Sequence, residues 1–237
     1  MANQYFQFKQ FTIHQDKCAM KVCTDACLFG ALLPIIEKGK ALDIGAGTGL
    51  LSLMYAQKKN NCVIDSVEID KAAFEQAKEN YLRSKWGNRI HIFNERIQTF
   101  AEKQQKRYDI IFSNPPFFEN DLQSDNTQRN LAHHSTQLSL KELIITAKKL
   151  LTLEGVFCVL LPYARNEYFE QLAVKEALFL QKKISISQTP KHTFFRSILF
   201  FSKKEASKNE EEIIIKAEDG KYSLKFEELL KDYYLYL

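Results

Sequence analysis

The sequence predicts an α/β fold: a doubly wound, seven-stranded sheet of parallel strands with helices on both faces. Three observations support this prediction. Short apolar runs alternate with segments that have apolar residues at helical spacing. A glycine-rich turn joins the first apolar run to the first helix. The fourth apolar run stops abruptly at two prolines, which cannot donate hydrogen bonds to a neighbouring strand.

Apolar runs of strand length predict the strands of this sheet. They cover residues 40–44, 62–68, 89–93, 108–113, 156–161, 183–188 and 195–202. Helices are expected between them, over residues 50–58, 71–84, 97–103, 140–152 and 169–178. Because parallel strands need a crossover connection, this alternation is typical of a sheet wound by helices.

The two ends of the chain differ from this pattern. An aromatic-rich start precedes the first strand, and an acidic run, an isoleucine run, an Asp-Gly turn and a helix over 224–236 follow the last one. The 237 residues suit one domain better than two. We therefore expect an N-terminal segment 1–37, a core 38–203 and a C-terminal appendage 204–237, as a monomer.

The composition is that of an ordinary globular protein, with 45% apolar and 26% charged residues and a formal charge of +4. This mildly basic balance permits a polyanionic partner without requiring one. The five cysteines show no C-x-x-C spacing, so no metal site is expected. Neither a signal peptide nor a membrane-spanning run is recognisable, which favours the cytoplasm.

The turn Asp43-Ile44-Gly45-Ala46-Gly47-Thr48-Gly49 carries the cofactor signal. Glycines let a backbone turn sharply and approach a ligand closely. The third glycine comes one residue sooner than in the G-x-G-x-x-G of dinucleotide enzymes, and Asp43 would repel a pyrophosphate. Asp43 would instead attract an ammonium group, which S-adenosylmethionine carries together with a sulfonium. We therefore expect S-adenosylmethionine to contact Asp43, Gly45, Ala46 and Gly47.

The second strand ends in Glu68-Ile69, where a carboxylate can accept both ribose hydroxyls at the rim of the crevice. Asp70 follows as a candidate helix N-cap. Together with the glycine turn, these features resemble the class I S-adenosylmethionine-dependent methyltransferases over roughly residues 38–162. The resemblance implies a Rossmann-like core, S-adenosylhomocysteine as the product, and Glu68 and Ile69 as cofactor contacts.

The tetrapeptide Asn114-Pro115-Pro116-Phe117 predicts the group that is methylated. A residue before proline is held extended, so the prolines stiffen the corner at Asn114. The tetrapeptide resembles the [Asn/Asp/Ser]-Pro-Pro-[Tyr/Phe] signature of amino-nitrogen methyltransferases. The Asn114 side-chain oxygen and the Pro115 carbonyl would each accept one N–H of an exocyclic amine, with Phe117 stacked on the base. Asn114 would also border the cofactor.

The N-terminal segment is similar to that of the bacterial tRNA1(Val) (adenine-37-N6) methyltransferases. The run 18–25, with Met-Lys-Val followed by Thr24 and Asp25, and the Asp-Ile-Gly-Ala-Gly-x-Gly-Leu-Leu loop both match that family. The similarity extends over nearly the whole chain. It implies that Lys21 and Thr24 lie near the methionine end of the cofactor, and that tRNA is the substrate.

One position departs from related enzymes. Those often have an acidic residue after the third strand that accepts the adenine amino group of the cofactor. Here Arg96 stands at that position. We expect either that Glu95 replaces it or that the backbone around Arg96 and Ile97 makes the contact.

Three other functions fit part of the sequence. A glutamine side-chain amide presents the same planar NH2, but enzymes that methylate it carry a helical substrate domain, and only about forty residues precede Asp43. A DNA adenine methyltransferase would need a target-recognition domain. A binding module without activity has no use for the Asn-Pro-Pro corner. RNA is therefore the expected substrate.

Basic residues are the expected contacts for tRNA phosphates. We place them in the long polar loop 118–139 and in the C-terminal half, including Arg129, Lys191 and Arg196. A loop of this length in a single domain is usually functional.

Overall fold

The computed structural model describes residues 3–18, 20–58, 61–116 and 138–237. Within these residues the chain forms a two-stranded N-terminal hairpin and an eight-stranded sheet. The strands are β1 (Tyr5–Gln7), β2 (Thr12–His14), β3 (Lys40–Ile44), β4 (Val63–Glu68), β5 (Ile90–Asn94), β6 (Tyr108–Ser113), β7 (Leu151–Pro162), β8 (Phe179–Ser187), β9 (Phe194–Ser202) and β10 (Asn209–Ile214). The helices are α1 (Thr24–Leu32), α2 (Leu50–Gln57), α3 (Lys71–Leu82), α4 (Ile97–Lys103), α5 (Leu140–Leu150), α6 (Asn166–Lys175) and α7 (Leu224–Leu230).

The sheet has the strand order β10-β8-β9-β7-β6-β3-β4-β5. All neighbouring pairs are parallel except the two that involve β9, which runs antiparallel to β7 and β8. The α/β class is confirmed, but the prediction of seven strands is wrong. The eighth strand is β10, which lies in the segment we assigned to the appendage and pairs with the edge of β8.

Two hydrophobic cores lie on opposite faces of the sheet. Helices α1, α2, α3 and α7 cover one face, and α4, α5 and α6 cover the other. Neighbouring residues of β3 illustrate the alternation, since Ala41 packs into the first core and Leu42 into the second. Cys62 and Cys158 are fully buried in the first core, as small apolar side chains often are.

The N-terminal hairpin is attached to the sheet through α3. The Asn80 side chain accepts a hydrogen bond from the His14 backbone N–H (3.0 Å) and donates to the His14 carbonyl (2.9 Å). It also donates to the carbonyl of Thr48 in the glycine turn (2.9 Å). One buried side chain therefore holds both the hairpin and the turn.

Several predicted boundaries are wrong: the strand expected over 156–161 covers Leu151–Pro162, and the strand expected over 183–188 covers Phe179–Ser187. The helix expected over 140–152 ends at Leu150, and β7 already begins at Leu151 because that residue pairs with Tyr108 at the start of β6. The helix expected over 169–178 covers Asn166–Lys175. The helix expected to reach residue 236 ends at Leu230, because the tail turns to pack against the N-terminal segment. There the Lys9 N–H donates to the Tyr233 carbonyl (2.8 Å).

The long loop lies largely outside the described residues, and so do Phe117 and Arg129. No helix in the described ranges is long and apolar enough to cross a membrane.

Replacing Gly49 by alanine is expected to destabilise the protein by about 3 kcal/mol. Gly49 has φ +82°, which costs an L-residue about 1 kcal/mol. A methyl group there would also lie 2.4 Å from the Tyr81 ring, and such overpacking adds about 1–3 kcal/mol. Urea denaturation followed by circular dichroism measures the loss.

Gly220 provides a matched control, because its φ is +81° but a methyl group there would meet no atom within 4 Å. Gly220→Ala should cost only about 1 kcal/mol. Equal losses at the two positions would contradict the steric role assigned to Tyr81.

Candidate active site

The candidate active site lies where the parallel strands β3, β4, β5 and β6 end. Ile44 pairs with Val67 on one side and with Ser113 on the other. The residues that follow these three are Gly45, Glu68 and Asn114, so the register brings them to the same edge. Ligands of open parallel sheets bind at this edge.

The glycine turn leaves open space in front of its backbone. The N–H groups of Gly45 and Ala46 both donate to the Val67 carbonyl (2.9 and 3.2 Å). Gly45 and Gly47 have φ values of +75° and +55°, and a methyl group on either would meet no atom within 4 Å. A ligand can therefore approach this backbone closely.

Glu68 joins the glycine turn to the start of α3. Its Oε2 accepts a hydrogen bond from the Gly47 N–H (2.8 Å), and its Oε1 accepts one from the Asp70 N–H (2.9 Å). The side chain is 8% exposed. Because each carboxylate oxygen has two acceptor sites, one on each remains for another donor such as a hydroxyl.

The residues beside Glu68 complete this rim. Asp70 caps α3 by accepting the Ala73 N–H (2.8 Å), which confirms its predicted capping role. Asn94, which the sequence analysis missed, donates to the carbonyls of Glu68 (2.9 Å) and Ile69 (3.1 Å). Its place at the end of a predicted strand, at the edge where ligands bind, was the feature of the sequence that could have identified it. Ile69 is 50% exposed and offers an apolar surface to a flat ligand.

Asp43 is fully buried behind the turn. Its Oδ2 accepts a hydrogen bond from the Ser52 hydroxyl (2.7 Å), whereas Oδ1 has no partner among the described residues. Burial raises the pKa of Asp43 to about 7; the charge of Glu68 also raises it, and the hydrogen bond from Ser52 opposes both. A cation bound close to Asp43 would therefore favour the ionised form of its carboxyl group.

The Asn-Pro-Pro corner contains a second acceptor without a partner. Asn114 Oδ1 is buried and accepts no hydrogen bond from any described residue. Pro115 is buried and Pro116 is exposed. The preceding Ser113 hydroxyl donates to the Ile44 carbonyl (2.8 Å), which fastens the corner to β3 next to the glycine turn.

The N-terminal segment reaches the same edge. Burial raises the pKa of Cys18 to about 11; the negative charges of Glu68 and Asp70 raise it further, while Lys21 lowers it. Cys18 therefore lies within electrostatic range of Glu68, Asp70 and Lys21. The Lys21 ammonium donates to the Gln15 carbonyl, and Thr24 opens α1.

The structure helps to choose between the two candidate contacts for the cofactor adenine. Glu95 forms an ion pair with Lys103 (2.6 Å). Arg96 stands at the N-cap of α4, and the Ile97 side chain is buried in the second core. Because the Ile97 side chain packs in the core and is only 5% exposed, a contact through its backbone, the second of our two expectations, is favoured.

Known proteins resemble this chain over most of its length. The Methyltransferase small domain family matches residues 24–163. A protein of Dyadobacter fermentans is 42% identical over 237 residues, with 98% of each chain covered. One of Photorhabdus laumondii is 40% identical and covers 98% of this chain and 95% of its own. Both are named tRNA1(Val) (adenine(37)-N6)-methyltransferase.

Solved structures show a similar fold at low sequence identity. A predicted O-methyltransferase of Agrobacterium tumefaciens has a TM-score of 0.68 at 14% identity, with 88% of this chain and 96% of that chain covered. A putative RNA methyltransferase of Pyrococcus horikoshii has a TM-score of 0.54 at 19% identity, with 77% and 82% covered. At these identities the likeness supports the fold alone.

Replacing Asp43 by asparagine is expected to stabilise the ligand-free protein at pH 8, by about 1–4 kcal/mol. Because burial raises the pKa of Asp43 to about 7, the folded state binds the proton more tightly than the unfolded state. The wild type therefore loses stability as the pH rises from about 4 to about 7, and the variant avoids this loss. Urea denaturation at pH 4.5 and pH 8 measures the difference, which should be small at the lower pH.

Asp65 is the control for this effect. It is also buried, but its oxygens accept a hydrogen bond from Tyr108 (2.7 Å) and contact His91 (3.1 Å). Asp65→Asn should destabilise the protein at both pH values, because it breaks contacts that are already made. If Asp43→Asn were less stable than the wild type at pH 8, this would contradict the conclusion that the ionised Asp43 carboxylate destabilises the folded protein.

Proposed function

The chain belongs to the tRNA1(Val) (adenine(37)-N6)-methyltransferase family, and we propose that it transfers a methyl group from S-adenosylmethionine to N6 of adenine 37 in tRNA1(Val). Relatives that share about 40% of their residues with it over nearly the full length support this proposal. The observation that carries the chemistry is the buried Oδ1 of Asn114 beside the glycine turn, which has no hydrogen-bond partner among the described residues.

The residues present fit S-adenosylmethionine. The open space before Gly45 and Gly47 lets the cofactor approach the backbone of the turn, and Glu68 retains acceptor sites for ribose hydroxyls. Asp43 Oδ1, which has no partner among the described residues, can balance a positive charge. The proposed contacts are Lys21, Thr24, Asp43, Gly45, Ala46, Gly47, Glu68, Ile69, Arg96, Ile97 and Asn114. When bound, S-adenosylmethionine supplies an electrophilic methyl group on a sulfonium.

The Asn114 corner orients the nucleophile. The lone pair of an exocyclic amine is delocalised into the ring, which makes the amine a weak nucleophile. If Asn114 Oδ1 and the Pro115 carbonyl each accept one N–H, the lone pair turns out of the ring plane toward the glycine turn. The catalytic contribution of Asn114, Pro115 and Pro116 is then alignment of the amine in a site with little water, and Phe117 is the proposed stacking partner.

No strong base is needed at this corner. Methyl transfer leaves a positive charge on the amine nitrogen, which makes its proton acidic, so the proton can leave afterwards to water. The neutral acceptors Asn114 and Pro115 hold the N–H groups until then. An adenine inside a duplex or a stacked loop could not reach them, so the base must be swung out.

The reaction is proposed to take place in the cytoplasm, where tRNA is modified. The five cysteines are all free in the structure, which suits a reducing compartment.

Transfer of a tritiated methyl group to unmodified tRNA1(Val) transcript tests the proposed function. We expect incorporation into the tRNA, and mass spectrometry of nuclease fragments should find N6-methyladenine at position 37. A transcript with guanine at that position should remain unlabelled. Incorporation into a glutamine-containing protein fraction instead would support the side-chain amide alternative, and no incorporation into either would refute the proposal.

Replacing Asn114 by alanine is expected to lower kcat by at least about 100-fold, because the amine loses an acceptor that aligns it. The affinity for S-adenosylmethionine, measured by isothermal titration calorimetry, should change by less than about threefold, since the other proposed contacts remain. Single-turnover kinetics at saturating tRNA measures the chemical step.

Asn114→Asp is the matched variant, because it keeps an acceptor oxygen at the same place and the amino-methyltransferase signature tolerates aspartate. It should retain clearly more activity than Asn114→Ala. Equal loss of turnover and cofactor affinity in Asn114→Ala would mean that Asn114 holds the cofactor rather than the amine.

A further inference from the structure

An exposed aromatic group lies at the start of β9. Tyr163, just after β7, is 38% exposed, and Phe195 is 37% exposed. Tyr163 also contacts Phe194, with ring centroids 5.2 Å apart. We call Tyr163, Phe194 and Phe195 the aromatic platform. Phe195 follows Phe194 in the chain, so three aromatic residues are grouped where β7 ends and β9 begins.

A break in the sheet register displays Phe195. Ile186 pairs with Arg196 and Ser187 pairs with Phe194, so Phe195 is the extra residue of a β-bulge. Bulges re-aim side chains and are common next to active sites. Phe195 thus stands outside the β8–β9 pairing, and its side chain is partly exposed.

Arg196 lies close to the Phe195 ring. Its guanidinium carbon is 5.9 Å from the ring centroid, at the distance of a cation–π contact. The Arg196 Nε donates to Asp25 Oδ2 (2.9 Å), which ties β9 to the first turn of α1. The ring therefore has a positively charged neighbour that is itself held in place.

The platform lies on the same edge of the sheet as the Asn114 corner. Arg196 pairs with Pro162 at the end of β7, and β7 is the direct neighbour of β6, which leads into Asn114. Two strand spacings, about 10 Å, separate β9 from β6 across the sheet, and Pro162 lies three residues beyond Val159, the partner of Ser113, which adds an offset of about 7 Å from Asn114 along the strands. This distance brings the platform within reach of a nucleotide that adjoins a base bound at Asn114.

The charge around the platform suits a polyanion. The turn between β8 and β9 exposes Lys191 and His192. Thr189 holds this turn, since its carbonyl accepts the His192 N–H (3.1 Å) and its Oγ1 lies 2.6 Å from the His192 ring nitrogen. A flat apolar ring with basic neighbours on an ordered turn is how proteins bind single-stranded nucleotides.

We infer that the aromatic platform binds a base next to the target adenine, with Phe195 stacked on that base and Lys191 near its phosphate. The inference rests on the proposed function, because it assumes that tRNA enters this edge of the sheet. Swinging the adenine out of its stack leaves a neighbouring base exposed, and Phe195 would replace the lost stacking partner. The platform would thereby stabilise the bound tRNA in the conformation in which the adenine is already swung out.

Phe195→Ala tests the inference. Loss of one stacking contact should raise the KM for tRNA1(Val) transcript about 5- to 150-fold. The kcat at saturating tRNA and the Kd for S-adenosylmethionine should stay within twofold of wild type. Phe195→Trp should restore the KM, whereas Phe195→Leu, which keeps an apolar side chain, should not.

Two sets of control variants distinguish the loss of a specific tRNA contact from a general loss of tRNA affinity. Tyr5→Ala removes an equally exposed ring (48%) in the N-terminal hairpin and should leave the KM unchanged. Lys191→Ala should lower the slope of log Kd for tRNA against log salt by about one, while Lys175→Ala, at the far end of α6, should not.

The outcomes distinguish the two proposals. If the wild type methylates tRNA but Phe195→Ala keeps its KM within twofold, the platform is refuted and the proposed function stands. Equal losses in Phe195→Ala and Phe195→Trp would also overturn the stacking role. If the wild type transfers no methyl group to tRNA, the proposed function itself fails.

Discussion

The geometry of the site depends on the two hydrogen bonds that the Glu68 carboxylate accepts. Its two oxygens accept the N–H groups of Gly47 and Asp70, so it holds the glycine turn against the start of α3. Without this bridge, two backbone donors near a buried surface would lose their partners, which costs about 1–3 kcal/mol each. Asn80 extends the same framework, because it binds the Thr48 carbonyl and the His14 backbone. The cofactor turn, α3 and the N-terminal hairpin thus form one connected unit.

Within this framework the protein retains acceptors that the described residues do not satisfy. Asp43 Oδ1 and Asn114 Oδ1 are both buried without a partner in the described ranges, and burial of Asp43 raises its pKa to about 7. Each unmet acceptor lowers the stability of the ligand-free protein. Binding of a cationic donor near Asp43, or of an amine at Asn114, would recover that energy. Buried acceptors of this kind are expected at functional sites, where they lower the stability of the ligand-free protein but remain available to bind a ligand.

The sequence predicted features that depend on local chemistry. Glycine spacing indicated the turn, the position of Asp70 indicated a helix cap, and two prolines indicated the end of β6. It did not predict features that depend on distant partners. The Asn80–His14 contact joins residues 66 positions apart, β10 becomes a strand only because the edge of β8 is available, and the bulge at Phe195 exists only relative to β8. Such pairings leave no periodic signal in a single sequence.

The antiparallel direction of β9 determines where the residues proposed to bind the substrate lie. Because β8 runs parallel to β7, it ends at the carboxyl edge of the sheet, and a chain that continued with a crossover helix would leave that edge at once. Here β9 instead begins there after the short turn 188–193. The start of β9 therefore carries Phe195 and Arg196 beside the edge that holds Asn114. A bulged hairpin in the sheet itself can then supply nucleotide contacts on a rigid support, which suits alignment-based catalysis better than a mobile attachment would.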